Sequence, residues 1–426
     1  MSAAGPIPLR LLPETSRVGS DGELSVGGVR LTDLAAEYGT PLFVYDEQHL
    51  RNRCREARAA FPGGVAYAGK AFLCGAMVRL VAEEGLSLDV ATGGELYVAR
   101  HAGFPPERMV MHGNNKSEAE LAMALDAGVG RIVIDSFDEM DRIERLVAGG
   151  REAPDVLLRL TPGVKAETHE FISTGQDDSK FGFTVSTGVA TVAVERAQAS
   201  PHMNLVGLHS HIGSQVFEVG SLARAVEVVA RFAAPLQLGE LSIGGGLGVA
   251  YVESEETPTL TELGEAVAEV VERTGITSRV TIEPGRAIAA AAAVTLYTVG
   301  TIKELPGIRT YMAVDGGFGD NPRPVLYGSD YTAFLPREAA ADRSETVRLV
   351  GKHCESGDVL VREASLPPGV EVGDIVATPV TGAYGHVMGN NYNMVLRPAV
   401  VFVSGGESRL VVRRETLADL VAREVG

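Results

Sequence analysis

Lys70, in the segment YAGK, follows a short apolar run, and a lysine placed there can act covalently. Burial in the mouth of a barrel lowers the pKa of an amine and frees it as a nucleophile able to form a Schiff base. Farther along, Gly244, Gly245 and Gly246 offer backbone N–H groups with no side chain in the way. With a helix N-terminus behind it, such a turn suits a phosphate, and the Ser214 hydroxyl can serve the same anion. His209 and His211 have two chemistries open to them: HxH spacing suits zinc, and an imidazole such as His211 can also stack on a flat ring. Glu283 can hold a pyridine nitrogen protonated. Each residue alone has a bland reading. A lone lysine is usually surface charge, an HxH pair is usually one core and one surface histidine, and three glycines are by default a flexible turn. Only convergence on one place makes them a site.

The elements that must place them are legible from periodicity. Apolar or β-branched runs recur between amphipathic stretches at Val65 to Ala68, Ser87 to Thr92, Met109 to Gly113, Arg131 to Ser136, Asp155 to Pro162, Leu205 to His211, Glu240 to Gly245 and Arg279 to Pro284. The first four start 22 residues apart, room for one strand, one helix and two short loops. Eight such units predict an α/β fold whose parallel sheet closes into a (β/α)8 TIM-type barrel. Ser117 to Gly128 opens on a capping-box pattern and ends in glycine, as one outer helix should. Val164 to Phe183 forms an unusually long interval, and Ser173 to Gly182 within it is a candidate lid, with Lys180 as the rival to Lys70. After Pro284 short strand-like runs follow one another without long helices, predicting an antiparallel β domain. The expected division is a barrel over 41–286, a β domain over 287–426, and a segment over 1–40 whose strand-like Leu24 to Leu31 joins the β domain.

Barrel enzymes carry their chemistry at the carboxyl ends of the strands. Just past each predicted strand end stand Lys70; Asp89, Thr92, Gly93 and Gly94; Asn114; Asp135 and Ser136; His209, His211 and Ser214; Gly244 to Gly246; and Glu283 with Arg286. A core face would not need a lysine, two histidines and a glutamate together. Lysine, phosphate cradle, stacking ring and carboxylate on one rim describe pyridoxal 5'-phosphate. The composition of the 426 residues, 45% apolar and 22% charged with 50 glycines and 21 prolines, excludes a disordered or fibrous class. A net charge of -17 argues against nucleic acid and anionic membranes as partners. No secretory signal is visible, and the longest apolar run, Ala287 to Val299, reads as core because a membrane span needs about 20 residues. Cys54, Cys74 and Cys354, without CxxC spacing, point to a reducing compartment, the cytoplasm.

Ten segments, in order from about residue 40 to 395, carry a family resemblance: GTPLFVYDE, YAGKA, DVATGGEL, STGQDDSKFG, HSHIGSQ, GGGLG, EPGR, NPRPVLY, CESGD, and GAYG with NYN. The chain resembles the fold-type III pyridoxal-phosphate decarboxylases, and within them the diaminopimelate decarboxylases. The resemblance implies a barrel plus a β domain. It implies that Lys70 is the Schiff-base lysine, that His211 stacks on the cofactor ring, and that Glu283 pairs with the pyridine nitrogen. Asp89, Ser214, Gly245, Gly246 and Tyr384 are implied in cofactor binding. Arg286, Arg323, Tyr327 and Tyr384 are implied in substrate binding, with Glu355 for the distant ammonium. Cys354 resembles a catalytic thiol donated across a homodimer interface with shared sites. Phe72 after YAGKA and His386 in GHVMGNNYN depart from the family pattern.

The implied activity is decarboxylation of meso-2,6-diaminopimelate to L-lysine and carbon dioxide. A long dicarboxylic diamino acid needs a cation for its far carboxylate and an anion for its far amine, and Arg323 with Glu355 supply both signs. No metal is expected. The alternatives are the same chemistry on another or a carrier-bound amino acid, an alanine racemase, a cofactor-binding regulator without catalysis, and an HxH barrel metallohydrolase. Racemases of this architecture read the pyridine nitrogen with arginine, which Glu283 opposes, and an HxH metal pair is expected at strand one rather than six.

Overall fold

A computed structural model describes residues 5–163, 177–211 and 213–425, so residues 173–176 of the candidate lid lie outside the described residues. The chain forms two compact units. One comprises residues 53–249 and 257–287, the other residues 1–52, 250–256 and 288–426.

The first unit is the expected barrel. Its parallel strands are Ala66–Ala68, Ser87–Val90, Met109–Met111, Arg131–Ile134, Asp155–Thr161, Asn204–Ser210, Glu240–Ser242 and Arg279–Thr281, each beside the next. In register, Ala68 faces Asp89, Asp89 faces Val110, Leu208 faces Leu158 and Leu241 faces Val280. A bridge between Val65 and Ile282 closes the ring, with the Ala66 N–H donating to the Ile282 carbonyl at 2.9 Å. Ala66, Val110, Val133 and Leu157, with Val206 against them, pack into one cluster drawn from five strands, as the inner face of a closed sheet allows. The first strand ends at Ala68 as predicted, and the other seven stop one to three residues short of their predicted ends. The trimmed residues, among them Gly113, Ser136, His211, Gly245 and Glu283, leave the sheet to build the mouth. A two-residue strand, Phe183–Thr184, pairs in parallel with the end of the fifth strand, beyond the point where the fourth strand stops.

Outer helices follow the strands, and their caps come from rim residues. Thr92 accepts the Glu95 N–H at 3.2 Å and Ser136 that of Glu139 at 3.3 Å, so two polar strand-end residues are helix caps. The helix Glu118–Ala127 carries the predicted capping box of Ser117 and Glu120 and ends on left-handed Gly128.

The second unit holds an eight-stranded sheet built on the long strand Ala293–Leu305. It is mainly antiparallel, with two parallel pairs: Arg309–Val314 on Glu345–Val350, and Leu42–Asp46 on Ala399–Ser404. Leu42–Asp46 belongs here and not at the barrel's start, because all five of its residues are buried between Ala293–Leu305 and Ala399–Ser404. The N-terminal strands Arg17–Val18, Leu24–Val26 and Val29–Arg30 do not extend that sheet; tight antiparallel turns close them into a three-stranded sheet of their own in the same unit. The apolar run ending in Val299 is core, and among the described residues no helix is long and apolar enough to cross a membrane.

Candidate active site

Lys70 stands in a single 3-10 turn, Gly69–Ala71, at the end of the first strand. A side chain at Gly69 would come within 2.9 Å of the Asp89 carbonyl, so the turn needs glycine there. The turn lifts Lys70 to an exposed position, which corrects the expected burial of its amine. Beneath it Phe72 is fully buried, its carbonyl accepting the Tyr67 hydroxyl at 2.9 Å, so this departure from the family pattern is core packing.

Glu283, at the end of the eighth strand, is the centre of a buried polar network. One carboxylate oxygen pairs with His209 Nε2 at 3.0 Å; the other accepts the Ser242 hydroxyl at 2.8 Å and lies 3.3 Å from His112 Nε2. Burial alone would push this carboxyl up, but the two imidazoles outweigh it and hold it well below the usual carboxylate range. His209 is pushed down to about 4, because burial outweighs the pull of Glu283. His112 goes the other way: burial opposes its charge, and Asp89 and Glu283 overcome it. Burial raises Asp89, against the pull of His112 and Lys70, and lowers Arg159, whose guanidinium lies 4.1 Å from the Phe181 ring centroid.

The glycine turn lies directly beside this cluster, the Glu283 N–H donating to the Gly244 carbonyl at 2.8 Å. The Gly245 N–H donates to His211 Nδ1 at 3.1 Å, which fixes the imidazole as an acceptor there. Burial, with the nearby charges of Lys70 and Arg159, holds His211 well below its ordinary pKa, so it is neutral. A side chain on Gly244 would sit 2.8 Å from that same nitrogen, and one on Gly246, at φ +120°, 2.4 Å from the Gly213 carbonyl. No helix starts behind this turn; the next is Leu260–Thr274, so any anion here relies on backbone N–H groups and side chains rather than a helix end. The side chains are present: Arg286 Nη2 donates to the Ser214 hydroxyl at 2.8 Å.

The rim thus brings together Lys70, Asp89, His211, Ser214, Gly245, Gly246, Glu283 and Arg286 in one unit. Sequence reasoning missed His112, Arg159 and Ser242. His112 is one residue past the third strand, the same kind of position that flagged the others, and Arg159 is a lone charge inside the apolar run VLLRLT. Donor atoms of His112, His209 and Glu283 lie within 4.8 Å of one another and could hold a cation. His211 is not among them, so the HxH pair does not converge as a metal pair.

In the second unit, Arg323 opens the short helix Arg323–Tyr327 and is buried, with Tyr327 half-buried at the helix's other end. Cys354 and Glu355 are exposed on a turn held by Asp358, which accepts the His353 N–H at 2.9 Å, and the Cys354 N–H donates to Asn393 at 2.9 Å. Tyr384 is half-buried and holds φ +59°, a strained conformation for a non-glycine residue of the kind that collects at functional sites. His386 packs edge-on to Phe43 at 5.7 Å and is pushed down to about 4 by burial and Arg397.

Fold and rim define a barrel enzyme equipped for a phosphorylated pyridine cofactor. The residues fit that group on three observations: an ionised carboxylate in a buried pocket for the ring nitrogen, a neutral imidazole held by the glycine turn for the ring face, and a bare turn with a hydroxyl and a guanidinium for the phosphate. Residues 47–290 match the family described as "Pyridoxal-dependent decarboxylase, pyridoxal binding domain". The chain is 48% identical to diaminopimelate decarboxylase of Mycobacterium tuberculosis, with 95% of each covered, and 47% identical to that of Bacillus subtilis, with 96% of each covered. The crystal structure of diaminopimelate decarboxylase from M. jannaschii in complex with L-lysine superposes with a TM-score of 0.90 at 33% identity, covering 97% of this chain and 98% of that one. The chain belongs to the diaminopimelate decarboxylase family of pyridoxal-dependent decarboxylases. Its cofactor is pyridoxal 5'-phosphate.

Proposed function

We propose that the protein removes one carboxylate from meso-2,6-diaminopimelate, releasing carbon dioxide and L-lysine. The observation that carries the chemistry is Glu283, a buried carboxylate held ionised by His112 and His209. The substrate is that named for the relatives. When bound, pyridoxal phosphate supplies an electron-poor conjugated ring that takes up the electron pair left by departing carbon dioxide.

The protein's residues divide the remaining work. Lys70 would hold the cofactor through its amine. Ser214, Gly245, Gly246 and Tyr384 would hold its phosphate, His211 would lie on its ring face, and Glu283 would keep its ring nitrogen protonated, with Asp89 as a further cofactor contact. Arg286, Arg323 and Tyr327 would bind substrate carboxylate and Glu355 the distant ammonium. Fixing the departing carboxylate perpendicular to the ring favours its loss over loss of the α-hydrogen. The proton returned to carbon would come either from the Cys354 thiol, delivered by the second subunit of a homodimer with shared sites, or from the Lys70 amine. A soluble biosynthetic role of this kind suits the cytoplasm.

Steady-state assay of carbon dioxide release over a panel of amino acids tests this reading. Release from meso-2,6-diaminopimelate with formation of L-lysine is expected. Its absence, with turnover of another amino acid instead, would overturn the substrate assignment.

A further inference from the structure

Arg323 is only 4% exposed, and its Nε has no hydrogen-bond partner. Among the described residues no carboxylate pairs with it. Two tyrosines brace it instead. The Tyr331 hydroxyl accepts from Nη1 at 2.5 Å, and the Tyr251 ring centroid lies 4.1 Å from the guanidinium carbon. The rings meet edge-to-face at 5.1 Å and 70°, and both are nearly inaccessible, 3% and 4% exposed. Tyr251 is itself fixed: its N–H donates to the Glu255 carboxylate at 2.7 Å, and neighbouring Glu253 pairs at 2.5 Å with Arg343, whose side chain is 2% exposed.

Withdrawing a guanidinium from water is costly, and a carboxylate partner is the usual compensation. Here aromatic faces and one hydroxyl do the bracing, through cation–π attraction and a hydrogen bond. They orient the guanidinium without neutralising it, so its charge and its Nε–H stay available to an incoming anion. We propose that Tyr251 and Tyr331 are positioning residues that hold Arg323 as a preorganised receptor for the carboxylate that the substrate retains. This rests on the functional reading above. The product L-lysine keeps that carboxylate, whereas 1,5-diaminopentane, the same carbon chain with both amines, has none.

The test is calorimetric binding of these two ligands to holoenzyme carrying Tyr251→Leu or Tyr331→Phe, with kinetics on meso-2,6-diaminopimelate. The L-lysine dissociation constant should rise about tenfold in each variant, while that of 1,5-diaminopentane stays within about twofold; KM should rise with kcat nearly unchanged. Loss of both ligands together, or unchanged L-lysine binding, would overturn the proposal. Tyr331→Phe keeps the ring and its packing, so the test stands even if Tyr251→Leu fails to fold. If the unaltered enzyme does not turn over meso-2,6-diaminopimelate, the functional reading fails separately, since ligand discrimination is still measurable.

Discussion

At the scale of residues, Glu283 shows how the environment sets a group's charge. Isolated in this pocket it would take up a proton; between His209 and His112, with Ser242 donating to it, it stays an anion. Glu283→Gln keeps the shape and removes the charge, so kcat should fall by about 10²-fold or more in an assay of carbon dioxide release. A variant within threefold of the parent would show that the charge is not used. Residues that follow a strand end were legible because their types clash with a core face. His112 and Ser242 were not, because a single histidine or serine beside an apolar run has an ordinary structural reading, and only the closed ring places both beside Glu283. The exposure of Lys70 was hidden as well, since a one-turn 3-10 segment leaves no periodic pattern.

At the scale of elements, the buried pair of Lys116 and Glu139 ties the segment after the third strand to the helix Phe137–Ala148. Lys116 Nζ lies 2.7 Å from Glu139 and donates to the Gly113 and Val133 carbonyls, and both side chains are 1% exposed. Lys116→Met alone leaves a buried carboxylate unpaired and should cost about 3–5 kcal/mol in denaturant unfolding, whereas Lys116→Met with Glu139→Leu should recover most of it. Equal losses in both would contradict this. Asp320, in the loop before Arg323, is pushed up to about 7, mainly by burial. The folded protein therefore binds a proton that the unfolded chain has released above its ordinary pKa near 4, so this group's stabilisation falls as pH rises from about 4 to 7. Thermal unfolding of Asp320→Asn should show a flatter pH dependence across that window and a higher Tm at pH 8; an unchanged profile would refute it. Strand order and the β-rich tail were readable from period and spacing. The candidate lid lies partly outside the described residues, and the sheet partner of Leu42–Asp46 was not readable, because a buried strand looks alike in either sheet.

At the scale of the whole molecule, a match along nearly the full length places this chain among small-molecule enzymes. The discontinuous units, with residues 250–256 grouped away from the barrel that precedes and follows them, escape any reading that assumes contiguous domains. If each site draws Cys354 from a second subunit, mixing inactive Lys70→Ala and Cys354→Ala proteins under exchange should restore about a quarter of the parental rate, because half the dimers are mixed and each has one intact site. No recovery, with exchange verified, would contradict the shared site. Lys70, and no other lysine, is expected to hold the cofactor. Borohydride reduction of the cofactor-loaded enzyme followed by peptide mapping tests it most directly. The account predicts a single pyridoxyl-labelled peptide containing Lys70; label on Lys180 instead, or no label at all, would contradict it.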